Sequence, residues 1–227
     1  MVITGVIVAG LGVAGCGSSS TSNGEINKSS DQILKDAQQA TAAQPSVHVK
    51  GKISSTGTAI QLDLVAAMGN GGGTIGENGA NLQVVLHQPN FYVMADEASW
   101  TKLTNSRATA QLLAGRWLQT TAANKNFTEL GRLVDITKLV DALKPSGALS
   151  TGKLTTFNGV SVVPVIDSRS SGNRTVFVAA TGKPVIEGVD GGGDHSGSLT
   201  FDQYGKGRVP GVPAGAVSLD KLQQAGG

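Results

Sequence analysis

Cys16 has the most distinctive chemistry of any residue in the chain, and it is the single cysteine among 227 residues. It follows Val13-Ala14-Gly15, one aliphatic residue and two small ones, and it precedes the small polar run Gly17 to Ser22. A thiolate is a strong nucleophile, suited to taking a diacylglyceryl group. Small residues before it let a peptidase approach the backbone. With one cysteine the folded chain holds no internal disulfide. That is compatible with an exported domain stabilised by its core alone.

No other group of residues carries a reaction convincingly. The chain has no HExxH, no GxSxG and no phosphate-binding P-loop, so no enzyme is expected. Its three histidines are His48 on the wet face of a predicted strand, His87 in a turn and His195 beside a glycine run. A metal site needs three or four converging ligands, and the sequence groups none, so neither metal nor cofactor is expected. Asp194-His195-Ser196 contains the residue types of a catalytic triad, but neighbours on a strand point to opposite faces. The runs Gly71–Gly73 and Gly191–Gly193 lack the lysine and the strand-to-helix setting of a phosphate cradle, and they are read as turns. Trp100 and Trp117 each follow a turn, where they either line a cavity mouth or pack in the core.

The elements around Cys16 are consistent with export. Residues 1–15 hold no charged side chain and are too few to span a bilayer, which needs about 20. They fit the apolar stretch of a secretory signal peptide, although the first basic residue is Lys28. Either the leader is atypical or the true start lies elsewhere. Val13 to Cys16 resembles a bacterial lipobox, which implies that residues 1–15 are removed and Cys16 becomes a lipidated N-terminus. Residues 16–28 are expected to form a flexible tether. A single domain is expected over 29–227. Lys plus Arg is 18 and Asp plus Glu is 16, a net charge of +2 without clusters, which argues against nucleic acid. Glycine is frequent, at 32, and aromatic residues make up only 4%, which points to short strands and many turns.

The domain opens with a predicted amphipathic helix over 29–42, capped by Ser29 with Gln32 three residues on. SVHVKGKI (46–53) and AIQLDLVAAM (59–68) alternate with period two and read as a hairpin. Residues 69–79 hold six glycines and read as a loop with a weak strand near Ile75. ANLQVVL and FYVMA form a second pair, 96–105 is a loop or single turn, and 107–114 is a short helix. Residues 128–143 read as one or two helices. Asn158-Gly159 then turns a hairpin in which Pro164 marks an edge or a bulge, and three more strands follow near 175–180, 184–189 and 196–201. Residues 210–227 are rich in Pro and Gly and end in a weak helix around Leu219 and Leu222. The sum is α+β, about ten mostly antiparallel strands in one large curved sheet.

Cys16, the tether, the capped helix, LQVVLHQPNFYVMADEASWTKL, AGRWLQTT, TVFVAATGKPVIEGV and GSLTFDQYG together resemble the actinobacterial LppX/LprG lipoprotein family. Tyr92, Trp100 and the Gly115-Arg116-Trp117 triplet match positions that recur there, and Tyr92, Trp100 and Trp117 are expected to line the ligand cavity. The resemblance implies a fold similar to LolA and LolB, a bent antiparallel half-barrel with helices closing its concave face. It also implies an apolar cavity for a lipid or glycolipid, a membrane anchor through diacylglyceryl on Cys16 outside the cytoplasm, and an envelope transporter as a candidate partner for a monomer. By alternation Ile60, Leu62, Leu64, Leu82, Val84 and Leu86 face that cavity, or else fill an ordinary core. The alternative function is a ligand-free surface interaction module or a regulator of an envelope protein.

Overall fold

The structure, a computed structural model, describes residues 21–55, 57–192, 196–219 and 221–222. Cys16 and its leader lie outside the described residues, as do Asp194 and His195. Helix α1 (Ser30–Ala42) opens the domain, with the Ser29 hydroxyl accepting from the Gln32 N–H at its N-terminus. Ile33, Leu34 and Ala37 form its buried stripe.

Five strands follow as a meander: β1 (Val47–Ser55), β2 (Thr58–Ala67), β3 (Asn70–Glu77), β4 (Ala80–His87) and β5 (Asn90–Met94). Helices α2 (Glu97–Thr104) and α3 (Arg107–Leu113) lead to β6 (Leu118–Thr121), and α4 (Thr128–Leu133) and α5 (Ile136–Asp141) come next. A second meander is built from β7 (Ala148–Thr151), β8 (Thr155–Phe157), β9 (Val160–Ser168), β10 (Arg174–Ala179), β11 (Ile186–Gly191) and β12 (Gly197–Asp202). The last strand is β13 (Val217–Ser218).

Among the described residues all thirteen strands join one sheet in the order β13-β6-β5-β4-β3-β2-β1-β12-β11-β10-β9-β7, with β8 also on β9. Every pairing is antiparallel except β13 with β6, and the two end strands do not meet, so the curved sheet stays unclosed. This is the α+β, bent half-barrel architecture expected from the sequence. The two meanders join only where β1 pairs with β12, Val49 opposite Phe201.

One face of the sheet is a continuous apolar row, because register and period-two alternation agree across strands. Val49 lies opposite Leu64, Ile75 opposite Leu82, Val84 opposite Val93 and Val93 opposite Leu118. The helices pack on this face, and the core lies between the layers.

Four segments differ from the sequence expectation. Gly71–Gly73 are not a turn but the middle of strand β3. A Cβ there would lie 2.0 Å from the Val134 carbonyl oxygen at Gly71, 2.5 Å from the Val84 oxygen at Gly72 and 2.3 Å from the Asp63 oxygen at Gly73. Glycine serves close approach at these positions, not chain reversal. Residues 97–104 form a helix because Asp96 accepts from the Ser99 N–H and Asn105 takes the left-handed conformation that ends it. Residues 22–28 of the expected tether are docked: the Asn23 N–H donates to the Ala180 carbonyl at 2.9 Å, and Lys28 pairs with Glu25 and Asp36, both at 2.7 Å.

The tail is the fourth. It crosses the face opposite the helices as a strap. The Gly205 N–H donates to the Ser46 carbonyl, Gly207 packs on Val65, and the Pro210 ring sits against Gly72. The Val217 N–H then reaches the Trp117 carbonyl at 2.8 Å, where β13 begins.

Candidate apolar ligand site

The concave side is occupied by the helices, and the α4–α5 junction is seated against its middle. Val134 touches β3 at Gly71, and Asp135 bridges to Ala67. Asp135 caps α5 by accepting from the Thr137 N–H. An apolar hollow lies on either side of this junction.

The larger hollow, about 460 Å³, is enclosed by α2, α3, β6 and the strand β13 that ends the strap. Trp100, Leu113, Leu118, Phe127 and Val217 form its walls. Leu112 and Leu222 stand at the rim, 68% and 40% exposed. Large exposed leucines beside an apolar hollow are an unfavourable arrangement in water alone, at about 25 cal/mol for each Å² of apolar surface left wet. Among the described residues Arg116 is the one cation in its walls.

The smaller hollow, about 290 Å³, lies between α4–α5 and strands β1, β11 and β12. Leu139, Leu143, Val189, Leu199 and Phe201 line it. Its far end is polar and built around Asp167, which is buried. That carboxylate accepts from the Gly147 N–H at 2.8 Å, from Arg169 Nε at 2.8 Å and from Arg174 Nη2 at 3.0 Å. Arg174 also donates to the carbonyls of Ala142, Leu143 and Lys144, which fixes the C-terminal end of α5. Burial disfavours the Asp167 anion, but hydrogen bonds from Arg169 and from the Gly147 and Ser146 N–H groups outweigh it and hold the carboxyl below its ordinary range. Burial, with Arg169 beside it, pushes the Arg174 guanidinium down.

The structure separates the residues singled out from sequence. Leu62, Leu64, Leu82, Val84 and Leu86 all face the helices and are packed into the filled centre, each 3% exposed or less. Ile60 is half-buried at the margin of the same face, opposite Ile53. Tyr92 lies on the other face, opposite Val85, in the row that passes through Gly72 under the strap. Strand alternation requires this, since its neighbours Phe91 and Val93 are in the core. Trp100 lines the larger hollow, while Trp117 is half-buried beside it and anchors β13 through its carbonyl. Cys16 lies outside the described residues.

Leu113, Phe127, Val217, Leu139, Leu143 and the Arg169–Arg174 pair are lining residues that the sequence did not single out. The apolar spacing in α4 and α5 was visible, but not the element that each face would meet.

On the opposite face His48 lies between two carboxylates, Nδ1 2.7 Å from Asp202 and Nε2 2.9 Å from Asp63. The carboxylates sit at opposite edges of the ring and do not converge. Among the described residues no three of His, Cys, Asp or Glu are placed to hold a metal ion, and no helix is long and apolar enough to cross a membrane.

An unclosed, bent antiparallel sheet with helices across its concave side defines the fold class. No protein-family model matches the chain, and neither does any curated protein. Solved structures that share the fold include two mycobacterial proteins. LprF from Mycobacterium bovis is 12% identical, with a TM-score of 0.57 over 82% of this chain and 97% of that one. The lipoprotein LppX from Mycobacterium tuberculosis is 14% identical, with a TM-score of 0.51 over 78% of this chain and 97% of that one. The chain therefore has the LppX-type fold implied by its sequence resemblance.

Proposed function

We propose that the protein is a membrane-anchored envelope lipoprotein that binds a lipid or glycolipid on the concave side of its sheet and carries it across the envelope. The observation that carries this reading is the larger hollow, apolar inside and rimmed by exposed leucines. An acyl chain seated there would remove wall and chain from water together, at about 0.8 kcal/mol for each buried CH₂. The LppX-type fold and the lipobox-like residues at Cys16 support the same reading. Cys16 would supply the anchor on the extracytoplasmic side, and an envelope transporter would be the partner in transfer.

The filled centre of the sheet favours a second reading, a ligand-free interaction module, because the residues best placed for a central cavity pack against one another. Native mass spectrometry on the full chain, expressed in an actinobacterial host, separates the two. A discrete added mass, lost on solvent extraction and identified as lipid, is the result expected. A clean unliganded mass under gentle conditions would overturn lipid binding and favour the interaction module.

A further inference from the structure

The two hollows differ in one respect that bears on the chemistry of a ligand. Among the described residues the walls of the smaller one include two arginines, Arg169 and Arg174, and no carboxylate. Asp167, just behind them, is the one anion paired with both. Among the described residues, two cations against one anion leave an excess positive charge at one end of an otherwise apolar space. Arg174 is held rigidly by three carbonyls and Asp167, and its Nε–H has no acceptor among the described residues. Arg169 is more accessible, with its side chain 20% exposed. Ser171 and Asn173, on the loop between β9 and β10, add polar groups at the same end. A charge in such a setting is screened less than one on open surface and attracts an anion more strongly. A planar guanidinium is the side chain best matched to a carboxylate or phosphate.

We infer that the smaller hollow binds an amphiphile with an anionic headgroup and a single acyl chain, the headgroup at Arg169–Arg174 and the chain along Leu139, Val189, Leu199 and Phe201. The volume, about 290 Å³, is at the low end for a ligand site and suits one chain better than several. This inference rests on the reading that the concave side takes lipid, and it adds the charge of the headgroup. A fatty-acid carboxylate and a lipid phosphate share this chemistry.

The test is titration calorimetry on the full chain, delipidated on a hydrophobic resin, with three probes of equal chain length: dodecanoate, dodecyl phosphate and dodecanol. Measurements run below the micelle concentration of each, on the wild type and on Arg169→Gln. Arg169→Gln leaves the Asp167–Arg174 pair in place, and its melting temperature confirms folding. The expected result is that at least one anionic probe binds the wild type about tenfold more tightly than dodecanol. The substitution should abolish that preference without changing the affinity for dodecanol, and raised salt should weaken only the anionic probes. Preference for dodecanoate alone would assign a fatty acid, and preference for dodecyl phosphate alone a phospholipid-type headgroup. Equal binding of all three probes would overturn the headgroup assignment while leaving lipid binding in place. A preference unchanged in Arg169→Gln would likewise overturn it. Failure of every probe to bind would overturn the lipid-binding reading itself.

Discussion

Gly71 of β3 and Val134 of the α4–α5 junction meet so closely that a Cβ on Gly71 would lie 2.0 Å from the Val134 carbonyl oxygen. This contact seats the helical layer on the sheet between the two hollows. Gly71→Ala should therefore force the layers apart and destabilise the fold by about 1–3 kcal/mol, the usual cost of overpacking. Gly211→Ala, where a Cβ meets nothing within 4 Å, is the control and should be near neutral. Urea denaturation of the two variants checks the difference. Equal midpoints would show that the junction yields freely.

Bulk placed in either hollow should reduce lipid loading without unfolding the chain. Leu113→Trp reaches the larger hollow and Ala142→Trp, at an exposed position, the smaller. Bound lipid per protein, read by native mass spectrometry, should fall severalfold for the variant whose hollow is occupied. Full loading of both variants at unchanged melting temperature would place the ligand elsewhere.

Asp167 predicts an acid-side instability. Its folded-state pKa lies below the ordinary 3.8, so its contribution is fully present above that value and is lost as pH falls through the folded pKa beneath it. Asp167→Asn should cost about 3 kcal/mol at neutral pH, because it leaves Arg169 and Arg174 facing no anion. The same variant should lose less stability than the wild type on acidification below pH 4. Melting curves from pH 2 to 7 provide both readings.

His48 predicts the opposite slope on the other face. Burial lowers its pKa, but hydrogen bonds to Asp63 and Asp202 outweigh this and raise it above 6.5. The stabilisation is present below pH 6.5 and is lost as pH rises through the raised value. Both carboxylates are half-exposed, so the effect should be about 0.5–1 kcal/mol. A fall in midpoint between pH 6 and 8 that is absent in His48→Gln would bear this out, and parallel curves would contradict it.

The anchor is tested at Cys16. Cys16→Ala should abolish labelling by a radioactive or clickable fatty acid and move the protein out of the membrane fraction. Unchanged partition would sink the anchor.

Much of the sheet was legible because alternation in stretches such as SVHVKGKI and LQVVL is a direct image of a face buried on one side. The Asn158-Gly159 turn was equally plain, and both residues take positive φ. β3 was not legible, since glycine written for close approach looks the same as glycine written for a turn. The strap was missed because its hydrogen bonds go to Ser46 and Trp117, far away in sequence. For the site, alternation correctly put Leu62, Leu64 and Val84 on the helix-facing side. It could not say whether helices or empty space would stand over them. That depends on where Val134 lands, a long-range fact that local patterning does not encode.

The seam between β1 and β12 has a consequence for how the chain is made. β1 is the first strand in chain order and β12 nearly the last, so during synthesis one flank of β1 waits without a partner for nearly the whole length of the domain. Pairings that span so much chain form slowly, and an unpaired strand edge invites association with other chains in the interval. His48, Lys50 and Lys52 alternate along β1 on the wet face, and these polar and charged side chains discourage such contacts. The yield of folded protein, rather than equilibrium stability, is therefore where substitutions at Lys50 and Lys52 should be felt first.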